Sequence, residues 1–193
     1  MANPSFSHIL IGCPASGKST LAQYLKKKQS SCEIVATDEI RKKLFGDENI
    51  QGDWPTIAKE AYQQIHELIK NGRGVIYDAT NAKPSWRIEL LMHLKKYEKI
   101  NWIGWYLKTP LQVCLEWNRK RKRQVPDEVI IAMFLSLENY PPKREEGFFE
   151  VYEVPFLEGN LAISKIDNIL ENLAKGATDM EIGVKLSLGT NSG

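Results

Sequence analysis

Apolar positions along the chain follow two rhythms. Short runs at residues 8–11, 33–36, 74–77, 101–107 and 149–154 have the length and composition of strands. Between them the spacing turns helical. Residues 18–28 place Leu21 and Leu25 at i, i+4, and a short helix is expected from Asp38 to about Phe45, stopped by Gly46. Residues 54–71 put Ile57, Ala61, Ile65 and Leu68 on one face, with Asn71-Gly72 as the stop signal. Three prolines each open a helix: Pro84 one running through Tyr97, Pro110 one to about Lys122, and Pro126 one whose first turn holds Asp127 and Glu128, the charge a helix N-terminus favours. A last amphipathic stretch, 161–175, carries Leu161, Ile166, Ile169, Leu170 and Leu173 and is expected to pack back on the sheet. Strands alternating with helices predict an α/β fold, a parallel sheet of about five strands with helices on both faces.

Composition narrows the picture. Of 193 residues, 42% are hydrophobic and 26% charged, enough for one core and unlike a disordered or fibrous chain. One domain is expected over residues 1–175, with a poorly ordered tail at 176–193, where the pattern fades. No apolar run approaches the roughly 18 residues of a membrane span, and the start lacks both a basic leader and a long apolar stretch, so a cytoplasmic protein without a membrane partner is expected. Cys13, Cys32 and Cys114, odd in number and widely spaced, read as reduced thiols without metal. Net charge is only +2, yet residues 1–143 carry +7 and residues 144–193 carry −5. Arg119, Lys120, Arg121, Lys122 and Arg123 account for most of that basic excess.

The first strand runs into Gly12, Cys13, Pro14, Ala15, Ser16, Gly17, Lys18, Ser19 and Thr20, which satisfy G-x-x-x-x-G-K-[ST] directly before a helix. Glycines let backbone N–H groups curl around phosphate oxygens, the helix N-terminus adds partial positive charge, Lys18 reaches the terminal phosphates and Ser19 holds Mg²⁺. A nucleoside triphosphate site follows, and with it a P-loop three-layer fold. The chain lacks a guanine-reading N-K-x-D motif and the length for a motor's second domain, which favours a small phosphotransferase.

Asp38 and Arg41 follow the second strand one helical turn apart, at the sheet edge where α/β ligands bind. Asp38 can accept the proton of an acceptor hydroxyl and Arg41 can fork onto an acceptor phosphate; the alternative is a helix cap beside a surface ion pair. The third strand delivers Asp78, Thr80 and Asn81 to the same edge, and Arg87 on the next helix is expected to face the acceptor groove. Asp78 either contacts the metal's water shell, or orients a base or an arginine, or makes a turn into the Pro84 helix. The basic run reads as a solvated helix end or, given its place after the fourth strand, as a mobile lid at about 115–130. In a lid, Arg119 and Arg123, spaced i, i+4, would face one way and neutralise the transferring phosphoryl group. Trp102, Trp105 and Tyr106 read as core, Trp54 or Trp86 as a surface on which a base could stack, and His8, His66 and His93 as structural.

Taken together, GCPASGKST, TDEIR, YDATN and NRKRKRQVPDEVIIAMF resemble the kinase module of the 5′-hydroxyl polynucleotide kinases of phage and bacterial RNA repair, over about residues 7–155. The resemblance implies transfer of the γ-phosphate of ATP or another NTP, with Mg²⁺, to the 5′-OH end of RNA or DNA, and an RNA-repair ligase as a partner. It implies Lys18 and Ser19 on phosphates and metal, Asp38 as base, Arg41 on the phosphate next to the acceptor hydroxyl, and Arg123 or Arg119 as the lid arginine. Nothing after residue 155 resembles the phosphatase module of the phage enzymes. Related P-loop kinases with a similar D-x-x-R act on small acceptors or on the seryl group of an aminoacyl-tRNA; a nucleotide-binding module without catalysis is the remaining alternative.

Overall fold

The computed structural model describes residues 6–175 apart from 49, 51, 98, 99, 163 and 164. The expected tail at 176–193 lies outside the described residues. Strands β1 (Phe6–Ile11), β2 (Cys32–Ala36), β3 (Gly74–Asp78), β4 (Asn101–Lys108) and β5 (Glu150–Leu157) are parallel, and β6 (Asn160–Leu161) pairs antiparallel with β5, in the order β2-β3-β1-β4-β5-β6. The chain leaves β1 toward β2 and leaves β4 toward β5, so the crevice between the C-terminal ends of β1 and β4 is the topological switch point where such sheets bind ligands.

Helices α1 (Lys18–Lys28), α2 (Thr37–Phe45), α3 (Trp54–Lys70), α4 (Pro84–Leu94), α5 (Leu111–Lys120) and α6 (Asp127–Asn139) follow the pattern, and residues 165–175 are helical. The central strand β1 is buried throughout because both faces are covered. Ile9 and Ile11 pack with Ile57, Ala61 and Ile65 of α3 and Leu94 of α4, whereas Phe6 and Leu10 pack with Leu21 and Leu25 of α1 and Ile166 and Leu173 of the last helix. Helix ends obey local chemistry: the Asp53 carboxylate accepts the Thr56 N–H at 3.0 Å to open α3, and Gly46, at φ 78°, closes α2. Trp102, Trp105 and Tyr106 are core, as expected. His8 is buried, accepting the Trp105 indole N–H at Nδ1 (3.0 Å) and bonding Gln29 through Nε2.

Three expectations are corrected. Helix α4 ends at Leu94 rather than Tyr97, whose N–H turns back to the Leu94 carbonyl at 2.9 Å. Helix α5 ends at Lys120 because Arg121 is extended (ψ 149°). Leu161 belongs to β6, not to a helix, because Glu158 and Gly159, both at positive φ, form a two-residue turn that folds β6 back on β5. No helix among the described residues is long and apolar enough to cross a membrane.

Candidate active site

The loop between β1 and α1 is a cradle of backbone amides. Ala15 (φ 60°) and Gly17 (φ 95°) take the left-handed conformation that turns successive N–H groups to one side. A side chain at Gly12 would place Cβ 2.5 Å from Ser16 Oγ. The loop is tied down at both flanks, the Gly12 N–H donating to the Thr80 carbonyl (3.1 Å) and Thr109 Oγ1 to the Ser16 carbonyl (2.7 Å). Helix α1 begins with neither a side-chain cap nor an acidic residue in its first turn, so its partial positive charge is uncompensated. Ser16 Oγ is buried without a hydrogen-bond partner among the described residues. That combination fits phosphate oxygens.

Lys18 lies over the loop and donates to the carbonyls of Gly12 (3.0 Å) and Cys13 (2.8 Å). Burial pulls its pKa down, opposed by the charge of Asp78. Burial raises the pKa of Asp78, opposed first by Lys18 and then by a hydrogen bond with Ser19. No cluster of three or more His, Cys, Asp or Glu residues among the described ones could hold a metal ion. A divalent cation here would therefore rest on the exposed Ser19 hydroxyl, on Asp78 through water, and on the phosphates themselves.

Asp38 stands at the start of α2 with its side chain 45% exposed. Arg41 Nη1 donates to its Oδ1 at 2.9 Å, while Arg123, from the segment after α5, pairs with Oδ2; both arginine side chains are only 13% exposed. The structure thus brings together Lys18, Asp78, Asp38, Arg41 and Arg123, linked by contact or by charge. Arg119 does not join them. Because α5 stops at Lys120, Arg119 and Arg123 do not share a helix face; Arg119 is 63% exposed and paired with Asp127 at 3.0 Å.

Other expectations are displaced by packing. Arg87, expected in the acceptor groove, is buried, and its five N–H groups go to Glu146 (2.6 Å to each oxygen) and to the carbonyls of Asn81, Ala82 and Tyr140. Asn81, also assigned to the acceptor, is buried at φ 49° and donates its amide to the Leu10 carbonyl at 2.7 Å, fastening the end of β3 to the end of β1. Thr80 serves the loop through its carbonyl, and Asp78 stands on the Lys18 and Ser19 side. Trp54 is 41% exposed, whereas Trp86 is partly buried against the core, with the Lys83 ammonium 4.9 Å from its ring.

Several residues carry no sequence motif. Asn118 closes the basic segment, its amide donating to the Val125 carbonyl (2.7 Å) and its oxygen accepting the Val125 N–H (3.0 Å). Arg121 lends positive charge to Asp78. Leu161 and Trp117 flank Gly17, and Trp117 packs edge-on to Phe156, an apolar wall beside the cradle. A 3.6-residue repeat could have flagged Asn118 on α5, but only the fold brings β6 to the loop.

A family model described as "AAA domain" matches residues 8–139. The L-seryl-tRNA(Sec) kinase of Methanococcus maripaludis is 34% identical over 135 residues, covering 65% of this chain and 50% of that protein. The chain therefore spans about half the length of that curated relative. Among solved structures, a gluconokinase from Sinorhizobium meliloti superposes with a TM-score of 0.57 at 17% identity, covering 95% of this chain and 99% of that one. A fungal RNA kinase gives 0.60 at 12% identity, covering 92% and 46%, and a chain of the Pnkp1/Rnl/Hen1 RNA repair complex gives 0.56 at 23%, covering 72% and 45%. These likenesses show a shared fold.

Proposed function

The chain belongs to the AAA domain family, whose model spans residues 8–139, and we propose that it is a P-loop kinase moving the γ-phosphate of ATP or another NTP to a hydroxyl carried by RNA. The observation that carries this reading is Asp38, a half-exposed carboxylate within electrostatic reach of Lys18 and bracketed by Arg41 and Arg123. A protein that only binds nucleotide gains nothing from a carboxylate there.

Backbone N–H groups of the loop after Pro14, together with the Lys18 ammonium, bind the phosphates, and the Trp117, Phe156 and Leu161 wall takes the base. Ser19, and Asp78 through water, would hold Mg²⁺, which would supply charge neutralisation on the phosphates. Asp38 takes the acceptor proton as the acceptor oxygen bonds to the γ-phosphorus and the bond to the leaving diphosphate oxygen breaks. Arg123 neutralises charge on the transferring group, Arg41 holds an acceptor phosphate, and residues 115–130 form the lid.

The acceptor we favour is the seryl hydroxyl of an aminoacyl-tRNA, supported by the identity with a seryl-tRNA(Sec) kinase. A second reading, a polynucleotide 5′-OH end with an RNA-repair ligase as partner, is supported by five adjacent cations, more than one triphosphate can use. The test offers γ-labelled ATP with seryl-tRNA, a 5′-OH oligoribonucleotide and free serine. Label on the seryl group is expected. Label on the oligonucleotide end selects the second reading, and equal labelling of free serine overturns RNA as the acceptor.

A further inference from the structure

Cys13 and Cys114 lie 101 residues apart in sequence and meet across the switch-point crevice, one in the loop after β1 and the other in the first turns of α5. Their Sγ atoms are 3.2 Å apart, and both side chains are buried. Cys32, the third cysteine, is buried among Leu21 and Leu25 of α1, toward Gln29, and takes no part. A cavity of about 200 Å³, lined by Cys13, Tyr106, Thr109, Pro110 and Phe134, reaches Cys13 and is large enough for a small oxidant. We propose that Cys13 and Cys114 form a disulfide when the protein meets hydrogen peroxide, and that this bond switches off the phosphate cradle.

The chemistry balances with peroxide as the oxidant. Cys13 Sγ attacks one peroxide oxygen, the O–O bond breaks, and the departing hydroxide takes the thiol proton as water, leaving a sulfenic acid. Cys114 Sγ then attacks Cys13 Sγ, the S–S bond forms, the S–O bond breaks, and a second water leaves with the Cys114 proton. The two thiols lose two electrons, which peroxide accepts. The order of events follows the environment: contact with Cys114 and the charge of Lys18 favour the Cys13 thiolate, against burial, whereas the neighbouring sulfur and burial push the Cys114 thiol up.

A disulfide needs the sulfurs about 1 Å closer than they stand. Cys13 would move with its carbonyl, which receives Lys18 Nζ, and α5, which leads into the lid, would be fastened to the loop. A displacement of that size at a catalytic group costs about 10²-fold in rate. The loss of function rests on the kinase reading; the crosslink does not.

The experiment treats the full chain with peroxide and reads mass, free thiols and affinity for a fluorescent ATP analogue. Expected are loss of two hydrogens, a crosslinked peptide joining Cys13 to Cys114, a fall from three titratable thiols to one, and roughly tenfold or greater loss of nucleotide affinity restored by dithiothreitol. Cys114→Ala should keep its nucleotide affinity through the same treatment. If that variant fails to fold, Cys32→Ser should go from two thiols to none. Three thiols after treatment, oxidation of Cys13 without a crosslink, or crosslinked protein that binds nucleotide like the reduced form overturns the proposal. Reduced protein that binds no nucleotide overturns the kinase reading itself, and the switch with it, while the mass still reports the crosslink separately.

Discussion

The phosphate cradle and the side proposed for the acceptor meet at the C-terminal edge of the sheet, Asp38 within electrostatic reach of Lys18, but are held by different forces. The cradle is buried and fixed by short hydrogen bonds to main chain: Lys18 to Gly12 and Cys13, Thr109 to Ser16, Gly12 to Thr80, Asn81 to Leu10. Buried bonds of this kind are expensive to leave unmade, so the cradle has one geometry before any ligand arrives. The acceptor side is held instead by two ion pairs that share one half-exposed carboxylate, which water still reaches and screens. It can therefore exchange Arg123 from Asp38 to a substrate at little cost. On the proposed reading, preorganisation belongs to the donor side and movement to the lid.

The comparison breaks first at Lys18. Lys18→Ala removes the one cation buried in the cradle, and transfer should fall by about 10³-fold or more while circular dichroism stays native. Phosphate transfer retained at full rate would mean that the loop is not the donor site. Next is Asp38→Asn, which leaves the cradle intact and should cut turnover by about 10² to 10⁴-fold with nucleotide affinity retained. Equal loss of affinity and turnover would move Asp38 to the donor side and erase the division.

The same division explains what could be read from sequence. The cradle is contiguous, residues 12–20 after a strand and before a helix, so its motif is the structure; the five parallel strands and helix α1 were equally legible because their apolar periods are local, whereas β6 was not. The pairing of Asp38 with Arg123 spans 85 residues and depends on where α5 stops, which no local pattern fixes. Arg87 shows the limit most clearly. On an isolated helix it looks like a groove residue, and only Glu146, 59 residues later, makes it a buried structural ion. Cys13 and Cys114 are likewise separated by most of the fold, so spacing could not pair them.

Acid should distinguish the two sides by stability rather than turnover. His8, on the strand that carries the cradle, is buried as a neutral ring, its pKa lowered to about 4, chiefly by burial. Protonating Nδ1 would evict the Trp105 N–H. The unfolded chain takes up that proton near pH 6.5 and the folded protein resists it, so the contribution is complete above 6.5 and lost as pH falls toward 4. The loss should reach about 3 kcal/mol. His8→Gln, which keeps a donor and an acceptor, should flatten urea-derived stability over that window by a similar amount. An unchanged slope would show that acid does not act through the cradle strand.

The smallest effect is expected at Arg119, and its smallness is the point. Arg119 and Arg123 are four residues apart in one basic run and are indistinguishable by charge. The fold separates them: Arg123 turns inward to Asp38, while Arg119 stays in solvent against Asp127 at 3.0 Å. An exposed pair of that kind contributes about 0–1 kcal/mol, so Arg119→Ala should leave kcat within about twofold of the parent. Arg123→Ala removes the cation paired with Asp38 and, if Arg123 acts on the phosphoryl group as proposed, should lower kcat by about 10²-fold, with less change in KM, because charge on that group develops in the transition state. Steady-state kinetics on the two variants decides between them. If both fall alike, the basic run acts as a diffuse field and the inward turn of Arg123 has no catalytic meaning; if only Arg119 falls, the lid closes with the opposite arginine.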